Sequence, residues 1–262
     1  MTYAERRAAL EAIAVEVRGC TRCKLASSRT NAVPGEGSPD TEVVFVGEGP
    51  GMNEDRQGRP FVGRAGGVLM ELLGSVEWRR EDVFITNVVK CRPPGNRDPE
   101  PDEIAACAPY LRRQLDVLDP ALVVTLGRYS LGTFMPGTRI SQVHGMVRPV
   151  DPATGAADAT VLALYHPAAA DRSPDVKRQS FEDIGRAPSA LLEARARRAA
   201  ARSSAASTGE DLVPVMVAPP GATSELPVAD LAIADLAADA AISDDAIDRP
   251  TEDATATDLT IF

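Results

Sequence analysis

No apolar run in this sequence approaches the ~20 residues that cross a bilayer. The first eighteen residues place Glu5, Arg6, Arg7, Glu11, Glu16 and Arg18 at amphipathic helical spacing, where a secretion signal would have an apolar core. Membrane insertion and export are therefore not expected, and the chain reads as a cytoplasmic protein acting as a monomer. A dinucleotide fingerprint is also missing: the glycines after the first apolar run fall in Gly47-Glu48-Gly49-Pro50-Gly51, which is not Gly-x-Gly-x-x-Gly. Histidine occurs twice and cysteine four times in 262 residues, so each of these positions carries unusual weight.

Excess charge is absent from most of the chain as well. Residues 201–262 hold twelve acids against Arg202 and Arg249, which accounts for the whole net charge of −10, while residues 1–200 carry 26 groups of each sign. The acidity thus says nothing about the front of the protein. Residues 201–262 are rich in Ala, Asp, Ser and Thr, with no aromatic before Phe262. Apolar residues so sparse cannot offset ordering entropy, and the segment is expected to be a disordered tail behind a folded unit of residues 1–200.

Four apolar, β-branched runs stand out in that unit: Glu42–Val46, Val83–Ile85 with an extension to Val89, Leu122–Leu126 and Thr160–Tyr165. Helical patterns separate them at Arg64–Leu73, Asp102–Leu118 and Arg128–Phe134, and a last one, Ser173–Arg198, is interrupted by Pro188. Alternation of this kind predicts an α/β fold with a parallel sheet covered on both faces. Ile140–Pro149 and Thr160–Leu164 flank a Pro152-Ala153-Thr154-Gly155 turn signal and suit a hairpin.

Between the first strand and the first helix lies a long segment, Gly47 to Gly66, with six glycines, two prolines, three acids and three arginines. A strand–helix turn needs only about two to six residues, so a loop of this length and composition reads as a site. In parallel sheets ligands bind beyond the carboxyl ends of the strands. Glu48 follows the first strand, Asn87 lies on the second, Gly127-Arg128 follow the third and His166 follows the fourth. A carboxylate, an amide and an imidazole therefore converge on one rim. His144 falls inside the hairpin and reads as structural.

The cysteines fit one site: Cys20-x-x-Cys23, Cys91 and Cys107. Disulfides are disfavoured in a reducing cytosol, and four thiolates suit either tetrahedral zinc or a [4Fe–4S] cluster.

Four segments together resemble the iron–sulfur uracil-DNA glycosylases, known as family 4. They are Gly47–Gly51 with Glu54-Asp55 and Gly58-Arg59-Pro60-Phe61-Val62-Gly63, then Thr86-Asn87-Val88-Val89-Lys90-Cys91, the pair Cys20/Cys23, and Tyr165-His166-Pro167-Ala168. The likeness runs from about residue 4 to about residue 195. It implies a three-layer α/β/α sandwich with a central parallel sheet, a [4Fe–4S] cluster on Cys20, Cys23, Cys91 and Cys107, and uracil-containing DNA as substrate. Enzymes of this kind flip a base out of the stack, hold it and read its Watson–Crick edge. The resemblance assigns Phe61 to stacking, with Gly49 and Glu54 also at the substrate. The Asn87 amide accepts from uracil N3–H and donates to O4, a pattern wrong for cytosine. His166 is placed to donate to O2 as negative charge grows on the leaving base. Glu48 leads as the group that stabilises the cationic sugar or orients water, with Glu54 and Asp55 near enough to share that work.

Basic residues cluster in the strand-end loops, among them Arg56, Arg59, Arg64, Lys90, Arg92, Arg97, Arg172, Lys177 and Arg178, and suit a phosphate-binding rim. One departure stands out: where the family usually has a bulky Leu before an Arg to wedge into the gap left by the base, Asp171 precedes Arg172. A related branch that traps DNA through a His in a basic loop is disfavoured, because Arg92–Glu100 holds no His. The C-terminal Asp258-Leu259-Thr260-Ile261-Phe262 resembles peptides that bind the replication sliding clamp, with Asp258 replacing the usual Gln. The alternative for that tail is a role in solubility alone.

Overall fold

The computed structural model describes residues 1–207 apart from Ala157. Six strands form one sheet in the order β1-β3-β2-β4-β6-β5: β1 (Glu36–Gly37), β2 (Val43–Gly47), β3 (Phe84–Asn87), β4 (Leu122–Leu126), β5 (Val147–Pro149) and β6 (Thr160–Leu164). The four central strands are parallel, while β1 and β5 pair antiparallel at the two edges. The expected parallel sheet is therefore mixed but mostly parallel. The two short edge strands are the ones that residue pattern alone marks least well.

Period-2 alternation divides the core. Val44, Val46, Val123 and Val161 face one side, packing with α1 (Tyr3–Arg18), α4 (Pro101–Leu118) and α5 (Arg128–Phe134). Val43, Phe45, Leu122, Val124 and Leu162 face the other, against α3 (Arg64–Ser75), α8 (Pro174–Ile184) and α9 (Ala187–Ser207). Every residue of β2, β4 and β6 is buried, as expected of parallel strands covered on both faces. The result is the α/β/α sandwich. Each fully buried Val, Leu or Phe contributes about 1.5–3 kcal/mol, so the alternation specifies this layering strongly.

Several boundaries differ from expectation. The long loop after β2 contains a helix, α2 (Met52–Gln57), which ends on Gly58 in the left-handed conformation at φ 68°. Strand β3 stops at Asn87 rather than Val89, and just beyond it Val88 N and Val89 N donate to Gly47 O and Glu48 O at 2.9 and 3.0 Å. The expected hairpin forms only in part: α6 (Ile140–Val143) takes the first residues, and β5 alone pairs with β6. The last helical pattern breaks at Gly185-Arg186, not at Pro188, which is the second residue of α9, where the first turn tolerates the ring. The boundary expected at residue 200 falls inside α9. The rest of the expected tail, from residue 208, lies outside the described residues, as does Asp258–Phe262.

Candidate active site

The carboxyl ends of the central strands open on a cavity of about 160 Å³, lined by Glu48, Gly49, Glu54, Phe61, Arg64, Asn87, His166 and Asp171 among others. That is many times the ~10–15 Å³ of such space that one water needs, enough to admit a small ring. Gly47 and Asn87 are register partners at the ends of β2 and β3, so Glu48 and Asn87 leave the sheet side by side. His166 follows β6 and caps α7 (Pro167–Arg172), whose Pro167 occupies the first helical position.

Missing side chains shape this floor. A Cβ on Gly47 would lie 2.4 Å from Asn87 Oδ1 and 2.6 Å from the Phe61 ring, so only glycine lets these two groups approach. A Cβ on Gly127, after β4, would sit 2.9 Å from the His166 Cβ, and Gly127 has φ 88°. Phe61 is itself left-handed at φ 49°, held there by Arg80, which donates to the Pro60 and Phe61 carbonyls. Its ring lies 6.0 Å from that of His166, centroid to centroid.

The polar atoms are oriented with equal care. Asn87 is 1 % exposed, and its Oδ1 has no hydrogen-bond partner although it lines the cavity. A buried amide oxygen left this way costs free energy that a ligand donor would recover. His166 Nδ1 accepts from Ala168 N at 3.1 Å, which places the proton of the neutral ring on Nε2. The cavity therefore combines an amide acceptor with an imidazole donor, and Glu48 stands half-buried beside them.

Glu54 and Asp55 have other partners. Glu54 Oε1 accepts from Val62 N and Gly63 N at 2.8 and 2.7 Å, clamping the turn that carries Phe61, while the residue still lines the cavity. Asp55 is buried and accepts from Thr30 N and Asn31 N, away from the cavity lining. Neither pairs with Arg56 or Arg59; the backbone amides take their place.

Cys20, Cys23, Cys91 and Cys107 line a second, smaller hollow together with Arg29, Lys90 and Tyr110. None of the four forms a disulfide. Arg29 Nη1 donates to Cys91 Sγ at 3.1 Å, and Lys90 N to Cys107 Sγ at 3.2 Å. Burial pushes the Cys107 thiol up to about 11 and raises Cys91 as well, so a bound cationic centre is what would keep them as thiolates. Among the described residues no group of three or more His, Cys, Asp or Glu is arranged to hold a metal ion.

Comparison with known proteins gives the family. The model of the Uracil DNA glycosylase superfamily matches residues 34–186. Type-4 uracil-DNA glycosylase of Sulfurisphaera tokodaii is 48% identical over 181 residues, covering 67% of this chain and 81% of that protein. The protein of the same name from Thermotoga maritima is 46% identical over 186 residues, 70% of this chain and 95% of its own length. The chain belongs to the uracil-DNA glycosylase superfamily, in its type-4 branch.

Within that family frame the basic rim is thinner than its sequence suggests. Arg59 forms a double hydrogen bond with Glu36 at 2.8 and 2.9 Å and is not among the residues that line the cavity. Burial of Glu36 opposes its ionisation, but Arg59 and Arg80 outweigh that and hold its carboxyl below the usual range. Arg64 lines the cavity mouth and pairs with Asp171 at 2.7 Å, so the residue in place of the family's Leu holds an arginine across α3 and α7. Arg97 is bound to buried Glu103, Lys177 to Glu71 and exposed Arg178 to Glu182. Arg172 is half-buried at the end of α7. Lys90 is not on the rim at all: it is 1 % exposed, and burial pulls its ammonium down to about 8. Sequence reading placed Gly127 at a strand end but passed over Arg29 and Tyr110 as parts of the cysteine hollow, and nothing local in the sequence marks either of them.

Proposed function

We propose that this chain excises uracil from DNA as a monofunctional glycosylase, breaking the N-glycosidic bond to leave free uracil and an abasic site. The observation that carries the proposal is the buried, unpartnered Asn87 Oδ1 in a cavity that His166 also lines. A flipped uracil offers N3–H to that oxygen and O4 to the Asn87 amide, whereas cytosine presents an acceptor at N3 and a donor at C4. Phe61 stacks on the ring. As the bond breaks, negative charge collects on the base, and the His166 Nε2–H donates to O2, an interaction commonly worth about 3–4 kcal/mol in the transition state. Glu48, half-buried beside Asn87 and lining the cavity, faces the cationic sugar or the attacking water. Arg64, which lines the cavity, and Arg172, at the end of α7, suit phosphate contacts better than Arg59 or Arg178.

The four cysteines suit a [4Fe–4S] cluster. They share one hollow, and Cys91 and Cys107 receive N–H···S hydrogen bonds there, as the type-4 likeness leads one to expect. Its contribution is structural, tying the end of α1 and the segment after β3 to α4. Asp258–Phe262 would tether the enzyme to the replication clamp, tested by a pull-down with and without Leu259–Phe262; the site of action is cytoplasmic DNA. The main reading is tested with iron-loaded protein and a uracil oligonucleotide, followed by alkali and a denaturing gel. Alkali-dependent cleavage at the uracil is expected. Scission without alkali would indicate a lyase, and an intact strand after alkali would refute the proposal.

A further inference from the structure

Lys90 is the one lysine the fold buries completely, and its surroundings are not those of a core filler. Its ammonium donates to three acceptors: Asn87 O at 2.7 Å, Thr86 Oγ1 at 2.6 Å and Gln114 Oε1 at 2.8 Å. An ammonium has three donors, so the set is complete. Gln114 Nε2 and Thr86 Oγ1 both reach on to Pro34 O, and Lys90 O accepts from Val33 N at 2.7 Å. A buried charge is costly, and an apolar chain of similar length would fill the same volume without that cost. The position therefore needs a donor aimed at something.

The aim is at the end of β3. Strand β3 ends at Asn87, and the peptide that joins Asn87 to Val88 is held on its N–H side by Gly47 O at 2.9 Å. Lys90 Nζ holds the carbonyl side of the same peptide from behind, while the Asn87 side chain lines the cavity in front. The same residue touches the second hollow, since Lys90 N donates to Cys107 Sγ and Cys91 follows it in sequence. We infer that Lys90 is a positioning residue: it sets the direction of the base-reading Asn87 amide and links that amide to the cysteine site. The inference rests on the proposed uracil reading, whose own failure would show as a wild-type protein that releases no uracil.

The test is a double-mutant cycle on iron-loaded full-length protein, measuring single-turnover uracil release, affinity for DNA and iron content. Lys90→Met should retain its iron and its affinity for uracil-free DNA, yet release uracil about 10–100-fold more slowly, the scale of a misplaced reacting group. Combined with Asn87→Ala it should add no further loss beyond about twofold, because the two changes remove one function. If Lys90→Met loses its iron, Lys90→Gln, which keeps a donor in the network, carries the same comparison. A wild-type rate, a loss fully additive with Asn87→Ala, or iron loss in both Lys90 variants would overturn the inference.

Discussion

The base-sized cavity and the cysteine hollow draw on the same short segment, Asn87 to Cys91, yet they are built differently. The cavity is formed by main chain at the ends of neighbouring strands, and its shape depends on side chains that are missing, at Gly47 and Gly127. The hollow is formed by side chains delivered from distant elements: two cysteines after α1, one after β3 and one within α4. A strand-end cavity is positioned by sheet register, which a buried hydrophobic pattern fixes strongly. A site assembled from helices and loops has no such frame, and something bound in it is what would hold its parts together. The first should therefore respond to substitution in rate, and the second in folding.

Removing a ligand from the hollow gives the largest expected effect. Cys107→Ser, at a site 8 % exposed, should yield little soluble protein and no iron, as measured by yield and metal analysis. Normal yield and activity would mean that the hollow contributes nothing to the fold. His166→Ala comes next and strikes only the cavity: single-turnover release should fall about 10²–10³-fold while the thermal midpoint stays close to wild type. A large drop in melting temperature would give His166 a structural role and blur the contrast between the two regions. Gly47→Ala sharpens the contrast, because it adds a methyl group where Asn87 and Phe61 meet. Overpacking of this kind costs about 1–3 kcal/mol in stability, and displacement of the amide should slow release at least ~10-fold. Urea unfolding and single-turnover assays on one preparation separate the two losses. Arg59→Ala should do least: its guanidinium is half-exposed and engaged with Glu36, so DNA affinity and its salt dependence should barely change.

The same difference in construction explains what the sequence made legible. Strand ends are readable, because an apolar run followed by Gly-Glu, Asn, Gly-Arg or His-Pro marks both the end of a strand and what stands beyond it. Glu48, Asn87 and His166 came together as that logic requires. The cysteines were readable through their scarcity. What escaped was pairing. Nothing local reveals that Glu54 binds Val62 N and Gly63 N, or that Asp55 binds Thr30 N, since those partners depend on how a loop closes. Charge clustering hid pairing for the same reason: Arg59, Arg97, Lys177 and Arg178 all found acids, and Lys90 turned inward. Helix α2 was hidden by flanking glycines that read as loop, although Gly51 and Gly58 turned out to be its two caps.

The proposal turns on one buried amide oxygen, Asn87 Oδ1, as the group that tells uracil from cytosine in this cavity. Its most direct test compares single-turnover release from two single-stranded oligonucleotides identical except for one central base, uracil or cytosine, using iron-loaded wild-type protein and chromatography of the freed base. Release of uracil with no detectable cytosine is the predicted result. Cytosine freed at a rate comparable to uracil would contradict the assignment of Asn87 as the residue that reads the base.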